Sequence, residues 1–308
     1  MDAIEKDLLL KIADLHDIPE GAYNIRTNGK MSARNSTENI QVSSKMDGKD
    51  GVEFHIKAGT KKESLHIPVI LSKAGLQECV YNDFFVGENA DVVIVAGCGI
   101  HNCGGVELVS RHDGVHTFYV GKNAKVKYVE KHYGKGDGNG KNVMNPETVV
   151  YLEEGAKMEM ETTQIKGIDN TKRLTRAYLK TGAEFIVKEK LYTHGVQTAD
   201  TDFVVELNGE NSRADIVSRS VASEHSRQNF VSTMQGNAPC YGHTECDAII
   251  MDGAQVKAAP CLSANDVDAQ LIHEAAIGKI AGEQLIKLMT LGLTEREAEE
   301  QIIKGFLH

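Results

Sequence analysis

Two stretches of the 308-residue chain gather side chains able to do chemistry. The first is Cys240-Tyr-Gly-His243-Thr-Glu-Cys246-Asp, followed by Cys261 and then by His273-Glu274. Cys246 opens a β-favouring run, and His273 and Glu274 come one interval of roughly thirty residues later, so stacked coils would bring thiolate, imidazole and carboxylate together. Such a set ligates iron; it equally resembles a cysteine nucleophile with a base and an orienting acid, although no oxyanion site or cleft is evident. The second stretch is Ala96-Gly-Cys98-Gly-Ile-His101-Asn-Cys103-Gly-Gly105. No Cys-x-x-Cys occurs anywhere, which argues against a structural zinc site. Glycines on both sides of Cys98 leave little bulk around it and mark it as open to a reagent or a sulfur donor. Cys79, Cys103, Cys240 and Cys261 are assigned structural roles.

The elements that hold these residues follow from periodicity. Ile4, Leu8, Leu9, Ile12 and Leu15 recur at helical spacing and stop before Pro19-Glu20-Gly21, which predicts a helical segment over 1–20. From about Tyr23 onward short β-favouring runs take over, among them 52–56, 91–95, 125–129 and 203–207. One punctuation recurs between them: Asn-Ala90, Asn-Ala124, Gly-Ala156 and Gly-Ala183, again at roughly thirty-residue intervals. Glycine or asparagine before a small residue makes a compact corner, so the residues predict a mainly β core over 21–274 built as a stacked coil, a β-helix. Hairpins in a sandwich use similar turns and are the alternative. Over 275–308, Ile280, Leu285, Ile286 and Leu288 regain helical spacing, and Thr294-Glu-Arg-Glu297 reads as a capping box before Ala298, Ile302 and Phe306. A C-terminal helical hairpin is expected, either capping the coil or presenting a docking face.

Composition sets the outer limits. With 34 basic and 44 acidic side chains the net charge is −10, and the pI is about 5.7, which argues against nucleic acid or an anionic membrane as partner. No run approaches the ~18 apolar residues of a membrane span, and the first ten residues carry acids where a secretory leader has its basic flank, so a cytoplasmic protein is expected. Six cysteines in such a chain are free thiols rather than a disulfide framework. The absence of tryptophan counts against carbohydrate recognition. The glycine-rich run Gly134 to Lys141 lacks phosphate-loop spacing and is followed by Asn142, so it reads as a solvated loop tip and no nucleotide is expected on this chain.

His243-Thr-Glu-Cys246-Asp, His273-Glu-Ala275, Gly278-Lys-Ile-x-x-Glu283-Gln-Leu and Leu291-Gly-Leu-Thr-Glu-Arg-Glu-Ala298 through Gly305-Phe306 together resemble the C-terminal half of the SufB/SufD family. The resemblance is specific from about Gln235 to Phe306 and looser from Val80. It implies a right-handed parallel β-helix that is a scaffold rather than an enzyme. A transient iron-sulfur cluster would form around Cys246, with Glu274 as carboxylate ligand or the residue through which iron arrives, and His273 as the imidazole that a partner subunit contributes. Cys98 would match the interior cysteine that first receives persulfide sulfur. Implied partners are an ABC-type ATPase, SufC, docked through Leu285, Leu288, Ile302 and Phe306; a sulfur donor such as a cysteine desulfurase; and apo iron-sulfur proteins that take the product. Because one chain carries Cys246, His273 and Glu274, it resembles the short form of minimal systems, where a homodimer completes the site. A SufD-like accessory subunit is the alternative. The longer SufB proteins add an N-terminal helical region and a tunnel tryptophan that have no counterpart here.

Overall fold

The corners set the architecture. In the computed structural model, which describes residues 1–136 and 140–307, Ala90, Ala124, Ala156 and Ala183 are all buried. Each follows a residue in the left-handed region: Asn89 and Asn123 at φ 57°, Gly155 at 66° and Gly182 at 65°. Glycine and asparagine tolerate that conformation, which turns the chain sharply enough to start a strand directly above the previous coil. Much of the glycine-rich run falls on residues 137–139, so its reading as a loop tip lies outside the described residues.

Successive strands alternate between two sheets, so each coil gives one strand to each. The first sheet runs through Lys61–Leu71, Asp91–Asn102, Lys125–Gly136, Lys157–Lys166, Glu184–Thr193, Arg213–Ala222 and Tyr241–Ile250 to Gln270–Gly278 at its edge. The second ends on Gln255–Ala264. Neighbours within these stacks are parallel. The result is a β-solenoid of about 8 turns, as the corners predict, rather than a hairpin sandwich. Two antiparallel pairs, Ala22–Thr27 with Lys30–Asn35 and Ile40–Ser44 with Gly51–Ile56, close its N-terminal end. Side chains alternate inward and outward along the strands of the later coils, as from Glu184 to Thr193 and from Thr198 to Leu207. At the N-terminal end the interior is aromatic, with the rings of Phe54, Phe84 and Phe118 stacked at centroid spacings of 4.8 and 4.3 Å.

Helix α1 (Ala3–Ala13) begins with a capping box between Asp2 and Glu5 and lies on the outside of the first sheet, burying Leu8, Leu9 and Ile12 against Ile70. The glycines beside Cys98 make room for it. A Cβ on Gly97 would stand 2.7 Å from the Ile12 carbonyl oxygen, and one on Gly99 would stand 3.1 Å from the Leu8 Cβ. They point outward, whereas Cys98 points inward and is 2% exposed. The expectation that flanking glycines open Cys98 to reagents is therefore corrected: alternation puts the small residues and the thiol on opposite faces.

Helices α2 (Gly282–Thr290) and α3 (Glu295–Phe306) form the expected hairpin, with Thr294 and Glu297 making the capping box. They pack on each other, and α2 has no buried residue. Leu285, Leu288, Ile302 and Phe306 are half-buried. The hairpin does not cap the solenoid, because the inward-facing Leu262 and Ile277 of the last coil stay 37% and 40% exposed. Among the described residues no helix is long and apolar enough to cross a membrane.

Candidate functional site

Cys246 sits on Tyr241–Ile250, one strand from the open end of the first sheet. Its register neighbours are Ser218 and, on the edge strand, Ala275. It points inward and is 1% exposed. Burial, together with the carboxylates of Glu189 and Asp247, pushes its thiol up to about 12. His273 stands opposite Thr244, on the same inward face, and its Nδ1 is buried without a hydrogen-bond partner.

Glu274 is not with them. It stands opposite Glu245, on the outer face, together with His243. The ligand atoms of His243, Glu245 and Glu274 lie within 4.8 Å of one another. His243 Nδ1 is 2.8 Å from Asp215 Oδ1 and its Nε2 is 3.9 Å from Glu274 Oε2. This leaves Nε2 turned toward the carboxylates, with the ring oriented by Asp215 as metal-binding imidazoles commonly are. Burial and a hydrogen bond with Asp247 raise the Glu245 carboxyl. One imidazole and two carboxylates form a hard donor set suited to a divalent ion such as Fe(II), and the thiol behind the strand supplies the soft donor. Thiolate, imidazole and carboxylate thus share one pair of strands but divide between its two faces. Within one chain Cys246 and Glu274 do not converge on a single ion.

A polar seam runs inward from this site. The column on the inner face of the first sheet reads Glu130, Thr162, Glu189, Ser218 and Cys246 from strand to strand. Ser218 Oγ donates to Glu189 Oε2 at 2.6 Å and Thr201 Oγ1 donates to Glu189 Oε1 at 3.1 Å. Arg173, from the facing sheet, donates to Glu130 Oε2 at 2.6 Å and lies 3.7 Å from Glu189. Burial alone would raise the Glu130 carboxyl, but Arg173 and His132 outweigh it and hold it well below the usual carboxylate range. Tyr128 donates to the other Glu130 oxygen at 3.0 Å and accepts from His116. His116 is neutral because burial lowers it to about 4. At the far end a cavity of about 20 Å³ is lined by Cys98, His112, His116, Glu130 and His132, with Cys98 in register with His132. Burial, then Glu78 and Glu130, push the Cys98 thiol well up, so it is protonated in this environment.

These buried charges escaped the sequence reading, although their signal is visible: Glu189 keeps the inward parity of Phe185 and Val187, and Glu130 that of Val126 and Tyr128. Glu245 was likewise missed. Of the four cysteines assigned structural roles, Cys240 is buried, whereas Cys79, Cys103 and Cys261 are exposed and fill no core.

Residues 77–306 match the family described as SUF system FeS cluster assembly, SufBD core domain. An iron-sulfur cluster assembly SufBD family protein of Methanocaldococcus jannaschii is 30% identical over 264 residues, covering 85% of this chain and 82% of the relative. One from Archaeoglobus fulgidus is 30% identical over 230 residues, covering 74% of this chain but 60% of the relative, and one from Pyrococcus horikoshii is 28% identical with 77% and 71% covered. With three quarters of its length matched, and the match ending on the strands and helices that carry Cys246, Glu274 and the hairpin, the chain belongs to the SufBD family of iron-sulfur cluster assembly proteins.

Proposed function

We propose that this SufBD-family protein is a cytoplasmic scaffold, not an enzyme, on which a transient iron-sulfur cluster is built. The observation that carries the reading is the pairing of a soft donor, Cys246, with the hard set His243, Glu245 and Glu274 on the two faces of one strand pair at an open solenoid end. Mixed donors hold a cluster less tightly than four thiolates, which suits an intermediate destined for transfer to apo proteins. His273, with an unpartnered buried Nδ1, is the inward imidazole nearest the opening.

The open end also argues for a second copy. Leu262 and Ile277 face an interior that no further coil covers, and Gln255–Ala264 and Gln270–Gly278 are edge strands with unpaired backbone groups. A homodimer joined there would cover both and bring a second set of donors to the first. The α2–α3 hairpin, amphipathic and free of the solenoid, is the surface for a SufC-like ATPase; this chain itself binds no nucleotide in the proposal. Sulfur from a donor such as a cysteine desulfurase would reach the site along the polar seam between Cys98 and Cys246. Cys246→Ala tests the scaffold role: anaerobic reconstitution with iron and sulfide is expected to give charge-transfer absorbance in the wild type and none in the variant. Full absorbance and iron in the variant would overturn the ligand assignment.

One observation favours the accessory alternative. A thiol held protonated, on the opposite face from Glu274, is what a subunit that only supports another scaffold would also show. A purified chain that holds no iron alone but pairs with a different family member would decide for it.

A further inference from the structure

Cys98 and Cys246 are both interior thiols, so neither is where a bulky donor first touches the protein. Cys103 is different. It follows directly after the strand Asp91–Asn102, is exposed, and its Sγ lies 2.7 Å from Nε2 of His101. His101 Nδ1 is buried with no partner, so among the described residues the ring's hydrogen bonding is directed at this thiol alone. Across the sheet His101 is in register with Lys135, whose ammonium lies close enough to Cys103 to feel its charge and is held 3.1 Å from Asp7 of α1. The imidazole is placed to take the proton of Cys103 when the sulfur attacks, and the ammonium lies beside the charge that develops there. The exposed side chains of Val106 and Leu108 flank the position. Among the described residues, neither of the other exposed cysteines, Cys79 or Cys261, hydrogen-bonds an imidazole.

We propose that the Cys103–His101 pair is a surface thiol-exchange site that accepts the sulfane sulfur of a persulfide. The inference rests on the reading of the protein as one that receives sulfur, and it names where a donor engages. The thiol proton of Cys103 passes to His101 Nε2. The Cys103 thiolate attacks the outer sulfur of R–S–SH; a Cys103 S–S bond forms as the donor S–S bond breaks, and its electron pair leaves on R–S⁻. The imidazolium returns the proton to that thiolate, so Cys103–SH and R–S–SH become Cys103–S–SH and R–SH with no external oxidant. Cys98 lies five residues back, inside the strand and facing the interior, roughly 16 Å of extended chain away, so the surface thiol does not hand sulfur to it in one step.

The test uses the full chain and reads each cysteine by mass spectrometry. With iodoacetamide at pH 7, Cys103 is expected to alkylate severalfold faster than Cys261, because His101 can take its proton as it reacts. His101→Gln should remove that advantage and leave the Cys261 rate unchanged, which also reports an intact fold. Cysteine persulfide and a persulfidated cysteine desulfurase are then offered separately to the wild type and to Cys103→Ser. One added sulfur at Cys103 from either donor supports the site, and the responding donor identifies the source. Equal alkylation of Cys103 and Cys261, an unchanged Cys103 rate in His101→Gln, or persulfide appearing only on other cysteines overturns it. Reconstitution with inorganic sulfide bypasses Cys103, so a failure of the scaffold reading would show there and not in the alkylation rates.

Discussion

Cys246 is a protonated thiol at neutral pH, and its labelling kinetics measure how far protonation is enforced. With the thiol at about 12, five pH units above neutrality, about one molecule in 10⁵ carries the thiolate at pH 7. A solvent-exposed cysteine with a pKa of about 8.5 is ionised in roughly one molecule in thirty. Ionisation alone therefore slows Cys246 about three thousandfold relative to such a free thiol; steric burial slows it further, and local opening sets a floor. The assay is timed iodoacetamide quenching from pH 7 to 10 with peptide mass readout. The Cys246 rate should rise about tenfold per pH unit throughout that range. Glu189→Gln removes one carboxylate that raises the thiol and should speed Cys246 at fixed pH. The linkage has a definite sign. The unfolded thiol ionises near 9.0 and the folded one near about 12, so the stabilisation from the protonated buried thiol is complete below the first value and lost as pH climbs toward the second. Cys246→Ala abolishes that dependence. Labelling of Cys246 within tenfold of Cys261 at pH 7, or a flat pH profile, would refute the reasoning.

Arg173→Met leaves Glu130 and Glu189 buried without their cation and should cost about 3–5 kcal/mol in urea unfolding, much of it regained when both glutamates are also made glutamine. The same cluster makes the fold acid-sensitive. Glu130 is held below its ordinary range, so its stabilisation is present above the unfolded carboxyl value and is lost as pH falls through the folded one; Glu130→Gln should flatten that limb of the stability curve. Gly97→Ala drives a Cβ into the Ile12 backbone and should destabilise by about 1–3 kcal/mol, with faster hydrogen exchange confined to α1. His243→Ala should lower the Fe(II) retained after anaerobic dialysis, whereas Cys103→Ser should not. The proposed homodimer predicts that the chain runs as a dimer in light scattering and that Leu262→Glu with Ile277→Glu leaves it a monomer.

The solenoid was legible because its corners repeat in the sequence: Asn-Ala and Gly-Ala recur where a left-handed residue must precede a buried small one. The site was legible only to the nearest coil. An interval of roughly thirty residues places His273 and Glu274 over Cys246, but facing is decided by single residues. Cys246 pairs with Ala275, so Glu274 falls opposite Glu245 and turns outward. The glycines beside Cys98 misled for the same reason, since composition says that a position is small and parity says which side it serves. The charged interior was hidden by convention, because Glu130, Arg173 and Glu189 read as surface residues until their strands are given a face.

In a stacked coil each turn is held mainly by the turns on either side, and stability is nearly a sum of neighbour terms. The N-terminal turns have neighbours, antiparallel pairs and α1 to hold them, whereas the last coil has a neighbour on one side only. Within the solenoid it is therefore the turn expected to open at the lowest free energy, and His273, Glu274 and the covering of Cys246 all depend on it. Native-state hydrogen exchange should find the gradient directly, with Gln270–Gly278 opening first and Tyr241–Ile250 next. In the proposed function, a second copy or a growing cluster bound there would stabilise the very turn it needs, so occupancy and rigidity of the site would rise together.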